Sequence, residues 1–154
     1  MIYLDLILTF ILLSITAYTD MKKRTIPNSI TLPFIPIGII NTLVLYGFMD
    51  GFKSLIWLIP LFLICFILFK IHQIGGGDAK LMLAVGALLG MENSLLLFLF
   101  SFVVSWFYCL YRFMKNRKMN GGSLKDKQRI MIPLASMMLV GYIILLFILF
   151  WIQK

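Results

Sequence analysis

Charge is scarce in this chain. Only 13% of its 154 residues are charged, and only six side chains are acidic. Soluble domains average about 25% charged residues, so a soluble globular fold is excluded. Cysteine is scarcer still. Cys65 and Cys109 stand alone inside apolar runs, with no CxxC and no Cys/His cluster at zinc spacing. A disulfide framework and a metal site are therefore not indicated, and both thiols read as small buried hydrophobes. His72 is the only histidine and has no evident relay partner, so it reads as an interfacial side chain and not as a general base. No run of Lys and Arg alternates with aromatics, which argues against nucleic acid as a partner. The first segment lacks the basic start of a secretory signal, and Asp5 sits where positive charge belongs, so it reads as a retained helix.

Apolar side chains are what the chain has instead: 62% hydrophobic, with a mean hydropathy of +1.01. That composition describes an all-α polytopic membrane protein, with one transmembrane domain over residues 1–154. The formal net charge of +8 points to orientation in the bilayer and contact with anionic membrane lipids. Six apolar segments run from Ile2 to Thr19, Ser29 to Phe48, Phe52 to Ile71, Asp78 to Met91, Ser94 to Met114 and Ile130 to Ile152. Thr25-Ile26-Pro27-Asn28 breaks the chain after the first, and Asn28 is placed to cap the second. Pro33 and Pro36 predict a kink near the start of that second helix. Asp50-Gly51 reads as a short turn, and Gly75-Gly76-Gly77 as a helix break. Gly86 and Gly90 form a GxxxG spacing, which signals close helix packing.

The fourth segment is short, about 20 Å at about 1.5 Å per residue, against a hydrocarbon core of about 30 Å. The basic residues nevertheless argue that it spans. With six spans, every Lys and Arg except Lys53 and Lys154 falls on one side, 12 of the 14. Without the fourth span the split becomes 6 against 8 and the bias vanishes. The positive-inside rule thus predicts six helices, the fourth short and sheltered by its neighbours, with both termini outside. Asp20 and Asp78 then share the cytoplasmic face at similar depth. Asp5, Asp50 and Glu92 fall at the opposite boundary and read as solvated.

A carboxylate at the edge of hydrocarbon costs several kcal/mol unless it is paired or hydrated. Two of them at contact distance share a proton and titrate as a unit. The ionised member can draw a proton from water while the protonated one polarises a peptide carbonyl, the chemistry of aspartic proteolysis. Each residue also has a plainer reading: Asp20 as a solvated helix end before Lys22-Lys23-Arg24, Asp78 as a helix cap, and the basic loop from Arg112 to Arg129 as a topology determinant. Intramembrane carboxylates also serve proton-coupled transporters and channel subunits, although few polar residues lie inside the third to sixth segments. A structural scaffold is the third alternative. Composition and spacing leave the activity open among these.

Gly75-Gly76-Gly77-Asp78-Ala79-Lys80-Leu81, continuing to Gly86-Ala87 and Gly90, resembles the G-x-G-D-x-K-L segment of type IV prepilin peptidases. Asp20, followed by Arg24, Ile26, Pro27 and Asn28, resembles that family's other catalytic segment, and Ile132-Pro133-Leu134-Ala135 a third, weaker motif. The family pattern often has proline where this chain has Ser136. The resemblance implies a membrane aspartic endopeptidase without cofactor or metal, with Asp20 and Asp78 catalytic. It would cut the leader from prepilin or pilin-like precursors at the cytoplasmic face of the cytoplasmic membrane. Gly75, Gly76, Gly77, Lys80, Arg24, Pro27 and Asn28 would form the loops around the peptide. The paired cysteines of longer family members are missing, which implies a short peptidase form, like those serving Flp-type pili or preflagellins, without N-methylation.

Overall fold

The computed structural model describes residues 3–23, 25–72, 74–119 and 134–152. Arg24, the basic loop around Gly121-Gly122 and Ile132-Pro133 lie outside them. Four helices follow in order: α1 (Tyr3–Lys23), α2 (Asn28–Lys70), α3 (Gly76–Met119) and α4 (Leu134–Ile152). Among the described residues there are no strands. Windows in all four are long and apolar enough to cross a membrane, and Asn28–Val44 forms a further, shorter apolar stretch. The chain is a polytopic helical membrane protein.

At about 1.5 Å per residue, α2 and α3 would each reach about 65 Å, twice the hydrocarbon thickness, so neither can be one straight span. Each is broken at one glycine. Gly47 has φ 77° and ψ 170° inside α2, and Gly90 has φ 71° and ψ −172° inside α3. Only glycine reaches the left-handed side without a steric penalty. A methyl on Gly51 would lie 2.9 Å from the Cα of Leu43, although eight residues of straight helix span about 12 Å. The chain therefore folds back at Gly47. A single linking residue with nearly the same dihedrals sets nearly the same angle at Gly90. In agreement, Trp57 Nε1 donates to Ser94 Oγ at 3.3 Å beyond that break, while the adjacent Leu58 lies beside Gly86 before it. Six helical rods result among the described residues: 3–23, 28–46, 48–70, 76–89, 91–119 and 134–152.

Several local expectations are corrected here. The turn between the second and third rods is at Gly47, and Asp50-Gly51 lies within helix. Gly51 is instead the bare surface that lets the two arms of the hairpin touch. Pro33, Pro36 and Pro60 lie inside α2, and the residue with non-helical dihedrals there is Gly47. Pro27 occupies the cap position of α2, with no side-chain cap bond, and Asn28 is the first helical residue. The third rod ends at Lys70, and α3 begins at Gly76, so the break lies at 71–75 and not across all three glycines. His72 takes the left-handed turn there, with φ 59°. Gly90 is a turn residue, whereas Gly86 packs against Leu61. Asp5 is only 4% exposed, far from the solvated position read from its sequence.

The short rod 76–89 is the centre of the bundle. Leu81, Met82, Ala84, Val85, Ala87, Leu88 and Leu89 are all buried, while much of 48–70 and 91–119 presents Ile, Phe and Trp outward. A rod wrapped in protein need not match the bilayer thickness, which is how about 20 Å of helix is tolerated. In lipid, helices associate through close packing and hydrogen bonds more than through hydrophobic burial. Gly38 lets the second rod meet the backbone of Ala87, where a methyl would come within 2.8 Å, and Thr42 Oγ1 donates to Ala87 O at 3.1 Å. Gly141 of α4 meets Ser101 in the same manner. Ala87 and Leu88 thus anchor the rod that carries Asp78 in its first turn.

Candidate active site

One end of the bundle gathers the segments that the sequence singled out. Ala79 N–H donates to Gly75 O at 3.1 Å, the first bond of α3, which makes Gly75 the cap residue and Asp78 the third residue of the helix. From there the Asp78 carboxylate reaches back and accepts the N–H of Gly75 at 3.3 Å. This is the returning half of a capping box, and it holds a negative group at the positive end of a helix. Asp78 therefore caps its helix and remains half-buried, facing the site.

Asp20 arrives from the other side. It lies near the C-terminus of α1, is 8% exposed, and accepts the N–H of Ala135 on Oδ2 at 3.2 Å. Ala135 is in the first turn of α4, where backbone N–H groups have no helical acceptor. Asp20 satisfies one of them and gains the positive end of a second helix dipole. The two carboxyl groups are near enough to act on each other electrostatically. Each carboxylate is thus held at the N-terminus of a helix, Asp78 at its own and Asp20 at that of α4.

The remaining sequence candidates divide. Lys80 Nζ donates to Asn28 Oδ1 at 2.9 Å, tying the start of α3 to the start of α2. Beside that bond, Gly77 lies against Ile26, where a methyl would come within 3.0 Å of Cβ and 3.3 Å of the carbonyl oxygen. Pro27 begins the turn between them, and its carbonyl accepts the N–H of Ile30 and of Thr31. Gly75 is exposed next to Asp78, whereas Gly76 faces the ring of Phe69. None of these three glycines has positive φ, so they serve close approach and not an unusual backbone. Lys80, Asn28, Pro27 and the glycines are brought together with Asp78. His72 is exposed in the preceding loop.

Sequence reasoning missed the Ala135 N–H, because a backbone donor leaves no side-chain signature. The proline just before α4 was the available signal that a helix N-terminus begins there. It also missed Ile26 as the surface against which Gly77 closes. Among the described residues, no group of three or more His, Cys, Asp or Glu side chains is placed to hold a metal ion.

Residues 7–110 match the type IV leader peptidase family. The chain is also similar to the prepilin peptidase EppA of Methanocaldococcus jannaschii, with 35% identity over 98 residues. That alignment covers 64% of this chain and 27% of the relative, so the chain spans little more than a quarter of the relative's length. No solved structure matches the chain.

Proposed function

Because the chain belongs to the type IV leader peptidase family, we propose that it is an aspartic endopeptidase that removes the leader from pilin-like precursors at a membrane surface. What supports this reading is that Asp20 and Asp78 are each held by a backbone N–H at a helix start and lie within electrostatic reach of each other. In this mechanism one carboxylate takes a proton from a water molecule, and the resulting hydroxide attacks the scissile carbonyl. The other carboxyl donates its proton to the carbonyl oxygen, giving a tetrahedral diol. As the C–N bond breaks, the carboxyl that took the water proton passes it to the departing amine, and the diol returns a proton to the other carboxylate. Gly75, exposed next to Asp78, leaves the approach to that carboxylate unobstructed.

The six rods are assigned as six spans, with Asp20 and Asp78 on the cytoplasmic face, where the basic residues concentrate. A precursor helix lying in the bilayer would present its leader junction at that depth. Its peptide must be extended to be cut, and the loop at 71–75 borders the place where it would lie.

The test is cleavage of a panel of prepilins by purified protein in lipid. Asp20→Asn and Asp78→Asn should each lower the rate about a hundredfold or more, since an amide can be neither acid nor base. Glu92→Gln, exposed beyond Gly90 at the other end of the bundle, should cut at the parent rate. Cleavage near the parent rate in either aspartate variant would remove the aspartic mechanism.

A further inference from the structure

A second polar cluster lies at the opposite end of the bundle, and the proposed reaction does not use it. Asn41 Nδ2 donates to Asp5 Oδ1, joining the first turn of α1 to the first arm of α2. Thr9 Oγ1 donates to Asp5 O at 2.7 Å, and Tyr142 OH donates to the neighbouring Leu6 O at 2.7 Å from α4. Thr9 and Tyr142 are fully buried. Three helices therefore meet through side-chain hydrogen bonds where the surrounding surface is apolar.

Such bonds matter more for register than for strength. Apolar helices in lipid can slide or tilt past one another with little change in packing energy, whereas a buried polar pair has one position that satisfies both groups. α1 needs such a fixed point, because it carries Asp20 at its other end while Asp78 rides on a different rod. Asp20 itself is bonded to α4, and Pro27 caps the start of α2. We propose that Asp5 and Asn41 are positioning residues: they pin α1 to α2 at the far end of the bundle and so set the separation of Asp20 from Asp78. The proposal rests on the peptidase reading for its consequence, but not for the pin itself.

The lever is long. Asp5 and Asp20 are 15 residues apart, about 22 Å along the helix, so a change of about 5° in the tilt of α1 once the pin is lost moves Asp20 by about 2 Å. A displacement of about 1 Å at a reacting group can cost about a hundredfold in rate.

Two double variants of the full chain separate the outcomes. Asp5→Leu with Asn41→Leu replaces the pair by apolar packing and leaves no stranded polar group in it. Asp5→Asn with Asn41→Asp exchanges the partners and keeps a hydrogen bond. Spin labels at Lys23→Cys and His72→Cys, in a background of Cys65→Ala and Cys109→Ala, report the distance from the near end of α1 to the loop before Asp78. The parent should give a narrow distribution. The double-leucine chain should broaden it or move it by about 2 Å or more, and the exchanged chain should restore it. In parallel, kcat for prepilin cleavage should fall about tenfold or more in the double-leucine chain, with KM changed less than about twofold, and recover on exchange. An unchanged distance distribution in the double-leucine chain overturns the pin, whether or not any prepilin is cut. A changed distribution with parent kcat overturns the positioning role. Failure of the parent itself to cut would count against the peptidase reading, while the distances would still decide the pin.

Discussion

Gly75, Gly76 and Gly77 have three different neighbours, which makes them separable by substitution. A methyl on Gly77 would press on Cβ and the carbonyl of Ile26, part of a turn that Pro27 stiffens. A methyl on Gly75 would lie 3.0 Å from Oδ2 of Asp78, displacing the carboxylate from the N–H that holds it. A methyl on Gly76 meets only the ring of Phe69 at 3.3 Å, and a side chain on an exposed surface can swing aside. Gly77→Val should therefore lose most cleavage while the helices persist. Gly75→Ala should lower kcat about tenfold, because it moves the carboxylate itself. Gly76→Ala should stay within about twofold of the parent. Single-turnover cleavage of one prepilin in one lipid, with helicity measured alongside, checks all three. Equal activity across the series would reduce the triple glycine to a simple helix start.

At the scale of the helices, the fold depends on two kinds of glycine. Gly47 and Gly90 adopt φ/ψ combinations that are essentially confined to glycine and cost other residues on the order of 1–3 kcal/mol, although a methyl at Gly47 would meet nothing within 4 Å. Gly38 is an ordinary helical residue whose missing methyl admits the backbone of Ala87 and Leu88. Backbone cannot rotate away as a side chain can, so overpacking there should reach the upper part of the usual range of about 1–3 kcal/mol. Gly38→Ala should thus lower the melting temperature at least as much as Gly47→Ala in the same detergent. It should also lower activity, because it pushes on the rod that carries Asp78. The reverse order of melting temperatures would mean that the hairpin turn, and not the contact between rods, limits stability.

For the whole molecule, the decisive property is how many times it crosses the bilayer. The reversals at Gly47 and Gly90 give six rods, and the burial of 81–89 lets the short one lie inside the bundle without lipid contact on every side. Under the proposed six crossings, Lys23 and Lys115 lie on one side and Glu92 on the other. Single cysteines introduced by Glu92→Cys should react with an impermeant thiol reagent added outside intact cells. Those from Lys23→Cys and Lys115→Cys should react only after permeabilisation. Outside labelling at Lys115 would mean that rod 76–89 does not cross, and the argument from basic residues would fail with it.

What the sequence determined by itself were the properties that a linear pattern carries. Apolar runs of about 20 residues and the scarcity of charge specified a polytopic helical bundle, since each crossing must satisfy its own backbone. The paired motifs around Asp20 and Asp78 pointed to the family, and the clustering of basic residues suggested their common face. The tertiary structure decided what depends on a partner distant in the chain. Gly47 and Gly51 are both competent to turn, and only the contact of Gly51 with Leu43 shows which one does. Asp5 reads as a solvated end residue until Asn41, 36 positions away, folds against it. Asn28 reads as a cap until Lys80 takes its side chain. The N–H that holds Asp20 belongs to Ala135, 115 residues on, and a backbone donor has no letter of its own in a sequence. Hydrogen bonds and close contacts between helices are set by register and tilt, which one helix cannot encode without the others.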